Sequence, residues 1–492
     1  MTVKKPLMWR GAAALGAATL VAGGMMALGA PALAAVGPDQ PNAPTEGTLT
    51  INKYSGAPVG EGETPDPDNL LDGVEFTVTQ VGTLVGGVCE AIDLTDAAQW
   101  DGLDGLFASA PAAPTDPYCT TGTPAVQATV DGQTEFALDL GIYFVQETDP
   151  GDNNIVSKVP DFYVSIPTSQ GDTGSGWNYD VVADPKNQLM EAPTKTIDED
   201  PSNLVVGSDV TWTMSVPVPT LNNGEKFSTA VITDDLDSRL VYVEGSTQAS
   251  VGGEPLQDGV DYNVTNNAVW TFTDAGKAIL NAHMGEELTI SFDTTVTAVG
   301  NGIIPNPDYN SNFNGTEVPG TQVPFTYWGQ LSILKTDDSA TPLMLAGAEF
   351  QVFDLADGAT CPADAPQSGA VAVGESDASG VVKWGDGDVS PLGLFIGNFN
   401  EEQTAPEAEY CIYETVVPAG HVATQIDNPV TITTNNGAPL ELTVVNSKKD
   451  GPDLPLTGAQ GTIMMTIGGL AIIAVGAAVM FLARRRRHQH DA

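Results

Sequence analysis

Basic side chains are scarce in this 492-residue chain: 18 lysines and arginines stand against 63 aspartates and glutamates, a formal charge of −45. That balance excludes a nucleic-acid partner held through phosphate contacts and favours solubility. Histidine is rarer still, with four residues. His488 and His490 fall in the last few positions, and neither His283 nor His421 sits beside a serine or cysteine nucleophile motif, so nothing supports a hydrolase built on a nucleophile–histidine pair. Carboxylates are too abundant for any pair of them to argue an acid–base site. The four cysteines, Cys89, Cys119, Cys361 and Cys411, include no C-x-x-C, which argues against zinc. The acidic residues are scattered and form no twelve-residue calcium loop. No metal and no cofactor is expected. Helical periodicity is sparse; the stretch Thr273–His283 fits a turn or two of helix.

What is present speaks first at the two ends. Lys4, Lys5 and Arg10 precede an apolar stretch from Ala12 to Leu28, and Ala32 and Ala34 then satisfy the A-x-A rule, so residues 1–35 read as a cleaved signal peptide. At the other end Leu454, Pro455, Leu456, Thr457 and Gly458 come first. An apolar run from Ile463 to Ala483 follows, about 20 residues and enough to cross a ~30 Å hydrocarbon core. Arg484, Arg485, Arg486 and Arg487 then hold that end in the cytoplasm. The three parts together, within 448–492, resemble an LPxTG cell-wall sorting signal. That resemblance implies that a sortase cysteine attacks the Thr457 carbonyl, releases the peptide from Gly458 onward and passes the acyl group to an amine. It implies a secreted, peptidoglycan-anchored protein whose precursor resides briefly in the plasma membrane. The mature chain, from about residue 36 to Thr457, has room for about three ordinary domains. It keeps 11 basic and 62 acidic side chains, a charge of −51. Outside the cell disulfides are stable. Four cysteines allow three pairings; Cys89–Cys119 and Cys361–Cys411 are favoured because each pair falls inside one proposed domain.

The mature region reads as all-β. Short runs rich in Val, Ile, Thr and Phe, such as Thr48–Lys53, Val74–Gln80, Asp161–Ile166, Val210–Val216, Glu287–Val296, Leu331–Leu334, Glu349–Phe353 and Glu441–Val445, are separated by Gly, Asn, Asp and Pro. A weak internal repeat divides them. Gly47–Lys53 and Gly329–Lys335 open alike, Leu71–Val78 and Leu345–Val352 continue alike, and Tyr143–Thr148 corresponds to Tyr410–Thr415, while Ala192–Thr196 opens a segment between them. Three tandem immunoglobulin-like β-sandwich modules are expected, at 36–187, 188–328 and 329–447.

The mature chain has only ten lysines, so their placement is informative. Lys53, Lys195 and Lys335 lie in or just after the first strand of each module. Alternation can turn such a lysine toward the core, where an unpaired ammonium is costly and burial favours the neutral, nucleophilic amine. Here the C-terminal module resembles the CnaB domains of Gram-positive pilins. The resemblance rests on Lys335, on the E-box-like Tyr410–Gly420 and on Val444-Val445-Asn446-Ser447-Lys448. It implies an internal isopeptide bond between Lys335 and Asn446, with Glu414 as the buried acid. The middle module resembles the CnaA arrangement, with Lys195 as amine, Asp234 as acid and Asn306 as partner; Asn310 and Asn312 lie nearby, and Pro305 and Pro307 interrupt the expected strand. In the first module Lys53, Glu147 and Asn187 stand at equivalent places, although members of the family differ in whether this domain closes.

Lys186 belongs to another motif. Trp177, Val181, Pro185 and Lys186 match the pilin motif WxxxVxVYPK, with Ala183 and Asp184 replacing its usual Val and Tyr. The resemblance implies that Lys186 is the intermolecular acceptor of the Thr457 acyl group. From signal to sorting segment, the chain resembles the major shaft pilins of sortase-assembled pili, of the SpaA and FimA type. The implied partners are pilin-specific and housekeeping sortases, identical subunits, tip and basal pilins, peptidoglycan, and a host or bacterial surface ligand. The implied function is structural: a sortase substrate rather than an enzyme, covalently polymerised and supporting adhesion. A monomeric wall-anchored adhesin, or a minor or basal pilin, would share most of these features.

Overall fold

A computed structural model describes residues 36–449, apart from 57–64, 170–175, 200, 202–203, 223, 266 and 357. The signal peptide, the pentapeptide Leu454–Gly458 with its Thr457, the apolar run and the arginines lie outside the described residues. No helix among the described residues is long and apolar enough to cross a membrane. The chain forms two compact units. Among the described residues, one holds those up to Gly329 with Gly393–Glu407 and Thr433–Ala438; the other holds Gln330–Leu392, Ala408–Ile432 and those from Pro439 to Lys449.

The fold is all-β. In the first unit the opening strand Glu46–Asn52 lies between Gln133–Asp139, antiparallel, and Asp180–Ala183, parallel. Leu49 thereby meets Phe136 on one side and Val181 on the other. A second sheet places Val88–Ala91, Glu75–Val85, Gly141–Asp149 and Phe162–Ile166 side by side, with Tyr118–Ala128 also on Glu75–Val85. Strict alternation fixes the faces: in Gln133–Asp139 only Thr134, Phe136 and Leu138 are buried, as a period of two requires. The two sheets enclose Leu49, Ile51, Phe76, Val78, Phe136, Val145, Val164 and Val181.

Further along the same unit, Thr194–Ile197, Asp209–Pro217, Glu287–Val296, Gln248–Val251 and Glu254–Leu256 form a sheet in that order, with Leu240–Tyr242 also on Glu287–Val296. A second five-stranded sheet, built on Ala230–Asp235 and Asp308–Phe313, completes this part. The core contains Trp212, Met214, Ile232, Trp270, Ile290, Phe292 and Trp328. The helix Asp274–Ala282 is capped by the Thr273 hydroxyl, which accepts from the Gly276 amide at 3.2 Å. Gly276 is required there, because a Cβ would lie 2.0 Å from the Asp261 carbonyl oxygen.

In the second unit the first and last strands are adjacent and parallel: the part of Phe325–Asp337 from Leu331 on pairs with Leu440–Lys448, with Lys335 opposite Val444 and Asp337 opposite Asn446. The facing sheet runs Val382–Trp384, Ala372–Ser376, Glu349–Asp354, Glu407–Val416, Val430–Thr433. Leu331, Ile333, Phe350, Val352, Ile412 and Ile432 are fully buried. The sequence-based boundary at 328 falls inside the continuous strand Phe325–Asp337. Disulfides join Cys89 to Cys119 and Cys361 to Cys411.

Candidate functional site

The alternation that buries Leu49 and Ile51 also turns Lys53 inward, where it is fully buried. Its Nζ lies 2.9 Å from Glu147 Oε2 and 2.6 Å from Asn187 Oδ1. Asn187 Nδ2 donates to Glu147 Oε1 at 2.7 Å, closing a triangle of amine, carboxyl and amide. Glu147 comes from Gly141–Asp149 and Asn187 from the short strand Lys186–Leu189. Burial pushes the Lys53 amine down to about 8, against the opposing pull of Glu147.

A second triangle forms around Lys195. Its Nζ sits 3.0 and 2.9 Å from the two Asp234 oxygens, and Asn306 Nδ2 donates to Asp234 Oδ2 at 3.2 Å. All three side chains are buried. The ring of Tyr309 faces the amine, 4.2 Å from its centroid. Burial disfavours both charges, lowering Lys195 and raising Asp234. Among the three asparagines weighed from sequence, Asn306 is the one bonded to Asp234. Asn310 and Asn312 are half-buried and pair in register with Thr233 and Val231. Asn306 lies between the strands Ile303–Pro305 and Asp308–Phe313 rather than within either.

The third triangle joins the parallel first and last strands of the second unit. Leu331, Ile333 and Lys335 alternate inward. Lys335 Nζ lies 3.8 Å from Glu414 Oε1 and donates to the Val444 carbonyl at 3.0 Å. Asn446 Nδ2 donates to the same Glu414 Oε1 at 2.7 Å. Burial lowers Lys335 and raises Glu414. Glu414 Oε2 is buried without a hydrogen-bond partner, an arrangement that suits a neutral carboxyl better than a carboxylate.

Lys186, next to Asn187, is also buried rather than solvated. Its Nζ lies 4.6 Å from the centroid of the Tyr54 ring, which comes from the neighbouring strand. Burial lowers its pKa, with Asp184 pulling the other way. Asp184 is held by the Asn52 amide at 2.9 Å. Of the rest of that motif, Val181 packs in the core beside Leu49, and Trp177 stacks at a tilt on Trp100 with centroids 5.1 Å apart.

Residues 446–489 match the family model of the LPXTG cell wall anchor motif. Over 98% of its length the chain is 29% identical to the fimbrial subunit type 2 of Actinomyces naeslundii, covering 98% of that protein. It is also 29% identical to the fimbrial subunit type 1 of Actinomyces viscosus, over 97% of this chain and 98% of the relative. These end-to-end matches, together with the anchor motif, support a sortase-assembled pilin of the Gram-positive kind. Residues 190–306 of this pilin match the model of the Sgo0707 N2 domain. Its fold is shared with the full-length major pilin SpaD of Corynebacterium diphtheriae, at a TM-score of 0.59 and 24% identity over 82% of this chain and 98% of that one. The major pilin SpaA of the same organism matches at 0.51 and 22%, over 82% of this chain and all of that one. The pilin is a cell-wall-anchored structural subunit.

Sequence reasoning missed several contributors. Tyr54 and Tyr309, facing two of the amines, carry no motif that singles out an aromatic at those positions. The backbone amides of Val159 and Thr424, which donate to the Oδ1 atoms of Asn187 and Asn446 at 2.7 and 3.3 Å, have no residue-type signal, since almost any residue supplies an N–H.

Proposed function

We propose that this pilin is a shaft subunit. In this reading sortase joins Thr457 of one subunit to Lys186 of the next, and three internal Lys–Asn isopeptide bonds, Lys53–Asn187, Lys195–Asn306 and Lys335–Asn446, lock the subunit. The observation that carries the internal bonds is the recurrence, three times in one lysine-poor chain, of a buried amine within 2.9–3.8 Å of a buried carboxyl that in turn accepts from an asparagine amide. A stabilising ion pair alone would not call for the asparagine. Each site needs only one turnover, so positioning replaces an external enzyme. The carboxyl takes the lysine proton, the neutral amine attacks the amide carbon, and the carboxyl relays a proton to the departing nitrogen, which leaves as ammonia. The three modules, 36–187, 188–328 and 329–447, would each contain one such site.

Intact-mass measurement on secreted residues 36–457 tests this. Each bond removes one ammonia, about 17 Da, and three remove about 51 Da, beyond the few daltons of two disulfides. A mass equal to the unlinked sequence would reject the internal bonds. The choice of partner in the middle module has its own test. Asn306→Ala should raise the mass by retaining one ammonia, after allowance for the side chain, and peptide mapping should show Lys195 free. Asn310→Ala and Asn312→Ala should leave the cross-link in place; its loss in either would reassign the partner.

A further inference from the structure

The amide oxygen of Asn187 has two donors. One is the Lys53 amine at 2.6 Å; the other is the backbone N–H of Val159 at 2.7 Å. The amine cannot stay bonded to that oxygen while its lone pair attacks the adjacent carbon, so the Val159 N–H is the donor that remains. The segment carrying it is tied down on several sides. Lys158 Nζ donates to the Glu147 carbonyl at 3.2 Å, Asn222 Nδ2 donates to the Lys158 carbonyl at 2.9 Å, and the Asn222 amide donates to Ser157 Oγ at 3.1 Å. The same arrangement recurs at Asn446, whose Oδ1 accepts from the Thr424 N–H at 3.3 Å. Val159 and Thr424 each come two residues after the short strand that follows the acid-bearing one: Ile155–Ser157 after Gly141–Asp149 with Glu147, and His421–Val422 after Glu407–Val416 with Glu414. The middle site differs: Asn306 Oδ1 is buried with no hydrogen-bond partner.

We propose that the Val159 N–H is the oxyanion donor for closure of the Lys53–Asn187 bond, with the Thr424 N–H as its counterpart at Asn446. The inference rests on the isopeptide reading above. Glu147 accepts a proton from the Lys53 ammonium. The freed Nζ lone pair forms a bond to Asn187 Cγ, and the carbonyl π pair moves onto Oδ1, where the Val159 N–H holds the developing negative charge. Glu147 gives its proton to Nδ2 and takes one from Nζ. The oxyanion pair re-forms the C=O bond as the Cγ–Nδ2 bond breaks, ammonia departs, and Glu147 is left protonated. Charge develops on Oδ1 only in the transition state, so a donor fixed beforehand acts on the rate rather than on the fold.

Val159→Pro removes the donor, and residue 159 already precedes Pro160, a position biased toward extended backbone that proline tolerates. The mature chain is synthesised in a cell-free pulse, quenched in acid at intervals and mapped for the 53–187 cross-linked peptide. The proposal expects Val159→Pro to close that bond about a hundredfold more slowly, Val159→Ala to close it at the wild-type rate, and the Lys195–Asn306 bond to form at an unchanged rate in both as an internal clock. Closure of 53–187 at the wild-type rate in Val159→Pro overturns it. If the clock bond also fails in Val159→Pro, the variant has not folded, and amide exchange decides instead. In unlinked Glu147→Gln protein the Val159 amide should exchange more slowly than in Asn187→Ala; equal rates overturn the proposal. A wild-type chain that never joins 53 to 187 removes the isopeptide reading of this module, and the donor role with it.

Discussion

Replacing Lys186 by Ala is expected to abolish the ladder of boiling-resistant, high-mass species in wall extracts while single subunits remain secreted, folded and attached to the wall. A head-to-tail polymer needs one acyl donor and one acceptor per subunit. In the proposed polymer the donor is Thr457, beyond the last described strand, Leu440–Lys448, and the acceptor is Lys186, at the end of the proposed first module. Because donor and acceptor would be different residues of the subunit, the proposed linkage would be heterologous, and such contacts repeat into open filaments. The surroundings of this lysine differ from those of Lys158 and Lys448. Lys158 and Lys448 are half-exposed, with 56% and 51% of their side chains accessible, and each sits on a carboxylate, Asp161 and Asp337. Lys186 instead is buried beside the Tyr54 ring, with its amine lowered toward the neutral form. Its removal takes away no ion pair of the three internal triangles, so the monomer should keep all three ammonia losses. A full ladder in Lys186→Ala would show that another lysine carries the polymer. A ladder absent from the wild type as well would favour the monomeric adhesin.

The sequence revealed most where alternation is strict. The runs at Val210–Val216 and Glu287–Val296 sit inside strands, and the stretch at Thr273–His283 holds the helix Asp274–Ala282 with its two flanking residues as caps. The inward lysines were legible for the same reason: a lysine at the next inward position after Leu49 and Ile51, or after Leu331 and Ile333, breaks the apolar pattern without breaking the period. What stayed hidden depends on long-range pairing. The parallel register of Lys335 with Val444 brings together residues more than a hundred positions apart, and no local pattern encodes that. The short helix Leu103–Phe107, which supplies Leu103 and Leu106 to a satellite core with Ile92 and Tyr163, is too brief to show a period. In sequence Lys186 stands out through the motif Trp177–Lys186, which carries no information on what surrounds its side chain; the neighbouring strand Tyr54–Ser55 reveals that it is covered.

Glu414→Ala should leave Lys335 and Asn446 in place but unjoined, and should cost the C-terminal module more stability than an ordinary surface substitution. Glu414 Oε1 is the atom shared by the two reactants: it accepts from Asn446 Nδ2 at 2.7 Å and lies 3.8 Å from Lys335 Nζ. Without it the amine has no acceptor for its proton and the departing nitrogen has no donor. The missing cross-link would have closed a loop from Lys335 to Asn446, nearly the whole module. On a chain-entropy estimate a loop of that length is worth about 4–5 kcal/mol, which for a module of this size corresponds to a fall in Tm on the order of 20 °C. The alanine also strands a buried amine, which deepens the loss. Glu414→Gln separates the two effects, because it keeps a polar partner for Asn446 but cannot relay a proton. Both variants should retain the ammonia at this site, shown by peptide mapping of 335 and 446 as separate peptides, and both should unfold earlier and be cut faster by protease. The bonds at Lys53 and Lys195 should be unaffected, since neither triangle includes Glu414. A 335–446 cross-link that persists in Glu414→Gln would remove the acid from the mechanism and leave it a structural partner of Asn446.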